Sequence, residues 1–454
     1  MFLETAEAVA TQHRFLHWPL AFPEVFSDGN GEPLANPGFD AVIGNPPWDM
    51  VRGDSGDPST RASRRDAARC LTAFVRESGI YRVDSRSHVN RYQLFVERAL
   101  QLTRRGGRIG FILPAGSVSD GGCAPLRRHL FDRAGVDSVV GFDNRHQIFP
   151  IHRSVRFVVM TATSGERTGD VRCRFGVDNP DDLDRGTTPD NTFTVTRAFI
   201  ARLSGEDDLA IPELRRAADV RILEQISARI PTLDSTAGWN VAFGRELNAT
   251  DDRDLFAPFE RDGHGRPVLE GKQVEPFKVS LEGCRHQLRE GVRVRVPRKP
   301  RLAYRDVASA TNRVTLIAAV VPADAVTTHT LFCLKTPLPL DTQQVLCALL
   351  NSFVANYLIR FRVHTHVTVA LVSRLRVPPV DRDSPTHRRL STLAQTLMHS
   401  PAAAEQQPEY AELQGLVGRL YGLSASEFEH VLSTFPLVPE GVRSEAFAYF
   451  NNFH

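Results

Sequence analysis

The chain predicts an α/β fold in its first third, built on a mostly parallel sheet, followed by a β-rich α+β domain and a helical end. Three observations carry this. Apolar runs at 39–44, 108–114, 136–143 and 155–163 have the length and bounding turns of buried strands. A helical stretch lies between the first two, which is how parallel neighbours are joined. Over 454 residues the composition is 42% hydrophobic and 24% charged, enough to bury two or three cores.

"FDAVIG" (39–44) opens the sheet. "RYQLFVERALQLTRRGG" (91–107) places Tyr92, Leu94, Phe95, Ala99 and Leu102 at helical spacing and is stopped by a glycine pair. "RIGFILP" (108–114) is the second core strand, and "VDSVVGFD" (136–143) and "VRFVVMTAT" (155–163) follow. No helix joins the last two, so that end of the sheet carries an antiparallel pair. Residues 166–235 are polar, acidic and turn-rich and read as a linker with a helix near 212–229. From 236 to 380 many short runs read as the second domain, and 381–454 reads as helical with the aromatic tail "AFAYFNNF". The expected domains are therefore 1–165, 166–235, 236–380 and 381–454.

The net charge is +2, and lysine occurs only at Lys272, Lys278, Lys299 and Lys335, so nearly all positive charge is the planar guanidinium fork. No apolar run is long enough to span a membrane, and "MFLETAEAVATQHRF" lacks the basic start and apolar core of a signal peptide. Cys70, Cys123, Cys173, Cys284, Cys333 and Cys347 have no paired spacing, which argues against a disulfide framework or a zinc site. The expectation is a cytoplasmic protein with no bound metal.

The chemistry concentrates in "GNPPW" (44–48). One reading is a strand-terminating turn, since Asn and Pro are ordinary turn residues. With proline at about 5% of residues, this four-residue class arises by chance on the order of once in 10⁵ positions. The other reading is a pocket for an extruded base. The exocyclic amine of adenine is a poor nucleophile because its lone pair is delocalised into the ring. Acceptors for both amine hydrogens pull the nitrogen toward a tetrahedral geometry. The Asn45 side-chain carbonyl and the Pro46 main-chain carbonyl supply them, Pro46 and Pro47 hold the loop stiff, and Trp48 offers a stacking face.

On these residues the chain resembles the gamma-class adenine-specific DNA methyltransferases, in particular the large single-chain kind of type IIG restriction-modification and related phage-defence systems. "FLHWPLAFPEVF" (15–26) is similar to the segment leading into the motif, and "YQLFVERALQLTRRGGRIGFILP" to the helix and strand after it. "GFDNRHQIFPIHRSVRFVVMTAT" resembles the late motif whose aromatic residue closes the base pocket. The resemblance implies a partial doubly wound, Rossmann-like methyltransferase sheet and S-adenosylmethionine as methyl donor. It also implies catalytic roles for Asn45, Pro46, Pro47 and Trp48, with Phe149 stacking on the base opposite Trp48. The plainer reading of Phe149 is a core residue before a proline turn.

Enzymes of this family hold the donor on a glycine-rich turn of the pattern F-x-G-x-G, ahead of the NPP motif. The 44 residues before Asn45 contain none: "SDGNGEP" (27–33) follows no strand, and "RRGGRIG" (104–110) precedes one. Cofactor-binding residues are therefore unassigned. The strand that would pair with "DAVIG" is missing with them, which predicts an uncovered apolar edge. The expected partners are double-stranded DNA and a separate polypeptide carrying the cofactor-binding half. The alternative is a non-catalytic DNA-binding remnant or specificity module.

"GWNVAFGRELNATDDRDLF" (238–256), "VLEGKQVEPF" (268–277) and "LCALLNSFVANYLIRFRVHTHVTVALVSRLRVPP" resemble parts of a target recognition domain. Independently, 293–305 carries Arg293, Arg295, Arg298, Lys299, Arg301 and Arg305 with no acid and with Tyr304 interleaved, a strand-like phosphate-binding run. Arg313, Arg360, Arg362, His364 and His366 add candidates, although any single one reads equally as a solvated charge. Arg61, Arg65 and Arg69 share a helix face after the catalytic loop, near the base or simply solvated. Asp262, Glu270 and Lys272 form a D-x₇-E-x-K pattern that suggests a nuclease, but its E-x-K falls inside the recognition-like segment. An RNA or protein amide substrate is a third reading, disfavoured by the long recognition-like domain.

Overall fold

The structure, a computed structural model, describes residues 2–13, 16–50, 61–82, 90–183, 191–260, 265–296, 298–363 and 365–452. The chain divides into two units, residues 1–217 and 218–454.

The first unit begins with helices α1 (Phe2–His13), α2 (Trp18–Ala21) and α3 (Pro23–Phe26), then strand β1 (Phe39–Gly44). It continues through α4 (Arg61–Glu77), α5 (Arg91–Leu102), β2 (Thr103–Pro114), α6 (Gly116–Ser119), α7 (Ala124–Arg133), β3 (Ala134–Asp143) and β4 (Arg156–Ser164). Strands β5 (Asp170–Val177) and β6 (Phe193–Thr196) and helix α8 (Arg197–Ser204) complete it. The six strands form one sheet in the order β1-β2-β4-β3-β5-β6. β1 and β2 are parallel, β3 and β5 are parallel, and β4 is antiparallel to both its neighbours. β1, β2 and β3 therefore end on the same side. Ile109, Phe111, Leu113, Val136, Val139, Val158 and Met160 are buried in the sheet, and α5 and α7 pack on β2 and β3.

Two expectations need correction here. The antiparallel pair β3–β4 exists, but it lies inside the sheet, because β5 and β6 extend it. The segment read as a linker supplies both strands. In β5, Val171, Cys173, Phe175 and Val177 alternate with polar residues and glycine and are buried, a period-2 pattern that the polar turns on either side obscured.

β1 is an edge strand among the described residues, and Ile43 on it is 84% exposed. Its start is tightly held. The Phe39 ring is met by Trp18, Phe22 and Phe26 at centroid distances of 5.7, 5.4 and 5.7 Å. Gly38 has φ +123°, and a Cβ there would lie 2.6 Å from the Arg104 nitrogen, so only glycine passes. Asp40 pairs with Arg104 at 2.6 Å.

The second unit opens with α9 (Ala217–Arg229) and then runs through short strands: β7 (Phe243–Gly244), β8 (Phe256–Pro258), β9 (Pro267–Leu269), β10 (Val274–Glu275), β11 (Lys278–Val279) and β12 (His286–Leu288). β13 (Arg301–Arg305), β14 (Ala318–Val321), β15 (Val326–Thr327) and β16 (Leu331–Leu334) follow. They make two four-stranded sheets, β14-β13-β16-β7 and β15-β9-β12-β8, and the pair β10-β11. Strands end at Leu334, and α10 (Leu340–Leu350), α11 (Phe353–Arg360) and α12 (Val369–Ser373) occupy the rest of the stretch expected to be β-rich. Helices α13 (Pro385–His399), α14 (Pro408–Leu420), α15 (Ala425–Ser433) and α16 (Glu440–Asn452) form the helical end. α10 is buried from Gln343 to Leu350. Asp219 of α9 accepts from the Tyr357 hydroxyl and meets His430 Nε2, both at 2.7 Å, tying α9, α11 and α15 together. No helix among the described residues is long and apolar enough to cross a membrane.

Candidate active site and nucleic-acid face

β1 delivers Asn45 at the shared carboxyl end of β1, β2 and β3, where ligands bind in open α/β sheets. Beyond it Pro46 is buried, Pro47 exposed and Trp48 half-buried. The Trp48 Nε1 donates to the Ile112 carbonyl of β2 at 3.4 Å, which fastens the indole beside the sheet. The Asp49 carbonyl accepts from the Arg91 nitrogen at 3.1 Å, and its carboxylate lies 3.3 Å from the Arg91 guanidinium. The loop is thus held before its prolines by the pairing of Gly44 with Phe111 and after them by Trp48 and Asp49. Asn45 is exposed, and its side chain has no hydrogen-bond partner among the described residues. The Pro46 carbonyl accepts no main-chain hydrogen bond there either.

Trp48 belongs to an apolar cluster with Phe142, Phe149 and Phe157. Phe142 and Phe157 stack at 4.9 Å with 4° between their planes and form its floor. Trp48 and Phe149 meet edge to face, 6.3 Å apart with 82° between planes. The structure brings the two expected stacking rings together, but against each other. A base held between them needs parallel rings roughly 7 Å apart, two stacking layers.

Asn144 was not among the sequence candidates, yet it holds the Phe149 loop. It is fully buried, donates Nδ2 to the carbonyls of Phe149 (3.1 Å) and Ile151 (3.3 Å), and accepts from the Phe149 nitrogen at 2.9 Å. Its neighbour Gln147 takes the left-handed conformation, φ 57°, that closes the turn. An asparagine directly after a strand was the available signal. Around this loop Arg145 pairs with Asp143 at 3.2 Å, while Arg156 and Arg215 both pair with Glu213.

In the second unit the basic run separates into two populations. Only 301–305 is a strand, and 292–296 and 298–300 are irregular. Arg293, Arg295, Arg298 and Lys299 are exposed and have no acidic partner among the described residues. Arg301 departs from the expectation: it is 3% exposed, gives Glu246 two hydrogen bonds, the Nη2–Oε2 one at 2.6 Å, and donates to the Ala325 carbonyl at 3.0 Å. It is a core ion pair and cannot reach a phosphate. Burial alone would push the Glu246 carboxyl up, but Arg301 and the Thr327 hydrogen bonds hold it below the usual range.

Arg305 is half-buried, and burial lowers its pKa. Arg313 pairs with Glu405 at 2.6 Å, and His366 Nδ1 lies 3.3 Å from Asp306. Arg360 donates to the Thr434 and Arg313 carbonyls and lies 4.0 Å above the Phe435 ring; burial lowers its pKa to about 10. Arg362 is half-buried. His364 and Asp262 lie outside the described residues, and Glu270 and Lys272 form an ion pair at 2.7 Å. On α4, Arg65 is exposed and Arg69 pairs with Asp66 at 3.1 Å; the Arg61 side chain lies outside what is described.

The stretch from α1 to the Phe149 loop, with the Asn45–Trp48 turn in it, has a counterpart in a known family. Residues 3–149 match the Eco57I restriction-modification methylase family. The Eco57I-like region ends on the loop that Asn144 holds, and the sheet continues beyond it through β6. No curated protein sequence matches the chain. Among solved structures the chain is similar to the Type IIL restriction-modification enzyme MmeI in complex with DNA, at 11% identity and a TM-score of 0.50, over 88% of this chain and 57% of that one. It also matches the type IIG restriction endonuclease BpuSI, at 11% identity and a TM-score of 0.35, over 91% of this chain and 55% of that one. The first likeness is one of fold. The chain thus spans little more than half the length of either enzyme.

Proposed function

We propose that the chain is the base-binding and sequence-reading part of a site-specific DNA methyltransferase acting on the exocyclic amine of adenine. The observation that carries the reading is the pair of unspent acceptors, the Asn45 side chain and the Pro46 carbonyl, on a proline-stiffened loop at the carboxyl end of β1. Adenine placed there gives both amine hydrogens to these oxygens, and its nitrogen lone pair is localised for attack. Trp48 is held by Ile112 and offers its face once Phe149 moves away. Arg293, Arg295, Arg298 and Lys299 supply phosphate contacts on the second unit.

S-adenosylmethionine is the methyl donor of this reading. The described residues ahead of β1 form α1, α2, α3 and a loop, with no strand and glycine turn, so they do not build a site for it. The edge position of β1 and the exposure of Ile43 support a further strand pairing there, from another segment or a separate polypeptide carrying the donor site. A second reading is a DNA-binding specificity module without catalysis, supported by the exposed Arg293, Arg295, Arg298 and Lys299.

The test is adenine methylation in DNA from cells carrying the native locus, with wild-type or Asn45→Ala chains, alongside DNA affinity of each purified chain. The expected result is a loss on the order of 10²-fold or more with Asn45→Ala and unchanged DNA affinity. DNA binding without methylation at the native locus selects the specificity module. No DNA affinity at low salt overturns both.

A further inference from the structure

We propose that a pocket in the second unit, between the 299–301 segment and the end of β16, binds a phosphate oxyanion. The pocket has a volume of about 440 Å³ including its open mouth, and Glu246, Lys299, Arg301, Lys335, Leu338 and Gln343 are among its lining residues. The chain contains four lysines, and two of them line this pocket. The other two are engaged elsewhere, Lys272 with Glu270 and Lys278 with the Ala402 carbonyl. Lys299 and Lys335 have no acidic partner among the described residues.

The acid in the pocket does not oppose an anion. The Glu246 side chain is 1% exposed, and its oxygens are taken by Arg301 and by the Thr327 nitrogen and hydroxyl, each of the latter at 2.9 Å. The floor is therefore internally neutral, and the two lysines stand as uncompensated charge.

Lys335 is also positioned. Its main-chain nitrogen donates to the Ala242 carbonyl at 2.8 Å, and its stem lies across Gly244, where a Cβ would come within 3.0 Å of Lys335 Cε. The missing side chain at Gly244 gives the lysine its path. Gln343 cannot turn into the pocket as a competing acceptor, because Oε1 takes the Leu302 nitrogen at 2.7 Å and Nε2 donates to the Leu338 carbonyl at 2.8 Å. Lysine ammonium groups are compact point charges suited to a phosphate that needs no planar, bidentate reading.

The phosphate is either a backbone phosphodiester of DNA, in which case the site rests on the DNA reading above, or a free phosphate. The experiment uses the full chain and compares Lys335→Gln and Lys299→Gln with Lys272→Gln, which removes the same charge elsewhere. One arm follows thermal stability against inorganic phosphate at constant ionic strength. The other follows affinity for double-stranded DNA against salt. A saturable phosphate-dependent rise in Tm is expected, lost in Lys335→Gln and kept in Lys272→Gln. For a DNA phosphate, Lys335→Gln also weakens DNA binding several-fold and lowers the log–log salt slope by about one. Loss of the phosphate response with an unchanged DNA slope assigns the site to free phosphate. If Lys335→Gln and Lys299→Gln change neither readout relative to Lys272→Gln, the proposal is overturned. A wild-type chain that does not bind DNA defeats the DNA reading by itself and leaves the phosphate arm standing.

Discussion

Trp48 and Phe149 close on each other edge to face at 6.3 Å, with Phe157 beneath both. The contact is apolar and half-buried, and nothing covalent or charged holds it. Phe149→Ala should destabilise the first unit by about 1–2 kcal/mol, below the 3–5 kcal/mol of a fully buried phenylalanine. Urea denaturation reads this directly. Without the Phe149 ring the Trp48 face is open, so the variant should also quench Trp48 fluorescence more readily with added acrylamide.

Asn144 holds the loop from within. Asn144→Ala leaves the Phe149 nitrogen and the Ile151 carbonyl without their partner, and leaves the Phe149 carbonyl only the bond it accepts from the Ile151 nitrogen. A loss of about 2–3 kcal/mol is expected by chemical denaturation. Asn144→Asp keeps the acceptor but introduces a buried charge facing carbonyl oxygens, and should do no better.

These cases show what the sequence made legible. β1 was readable because the apolar run from Ala41 to Gly44 stops at Asn45 and two prolines, and the Asn45–Trp48 turn stood out because the combination is rare. The period-2 pattern of β5 was present but masked by acidic turns. Arg301 was misread for a physical reason: a charge run looks like surface until its counter-ion is known. Glu246 lies 55 residues earlier, and no local pattern links the two. The partners of Asn144 are main-chain groups of the Phe149 loop, a nitrogen and carbonyls, which carry no sequence signature.

The Glu246–Arg301 pair sets an acid limb. Glu246 is held below its ordinary range in the folded chain, so the stability it contributes is complete above that range, near pH 4.3 for a free glutamate. It is lost as pH falls through that value toward the folded one. Glu246→Gln should flatten the acid limb of Tm against pH. Arg301→Ala strands the carboxylate and should cost about 3–5 kcal/mol near neutral pH. Arg295→Ala, on an exposed residue, should stay within about 0.5 kcal/mol of wild type.

Ile43 is 84% exposed on the edge strand. Ile43→Lys places a charge on that edge, a common natural guard against strand addition. Self-association of the purified chain, read by sedimentation velocity across concentrations, should fall. Stability should change by no more than about 0.5 kcal/mol.

Gly38 and Trp48 bracket β1, the first threading beneath the Arg104 main chain and the second hooked to the Ile112 carbonyl. In a pleated strand, slipping by one residue turns every side chain to the opposite face. The two contacts act as end stops on a ruler, and what they measure is the side of the sheet to which Asn45 belongs. An insertion or deletion between them would keep Asn45 in the chain and present its amide on the opposite face of the sheet.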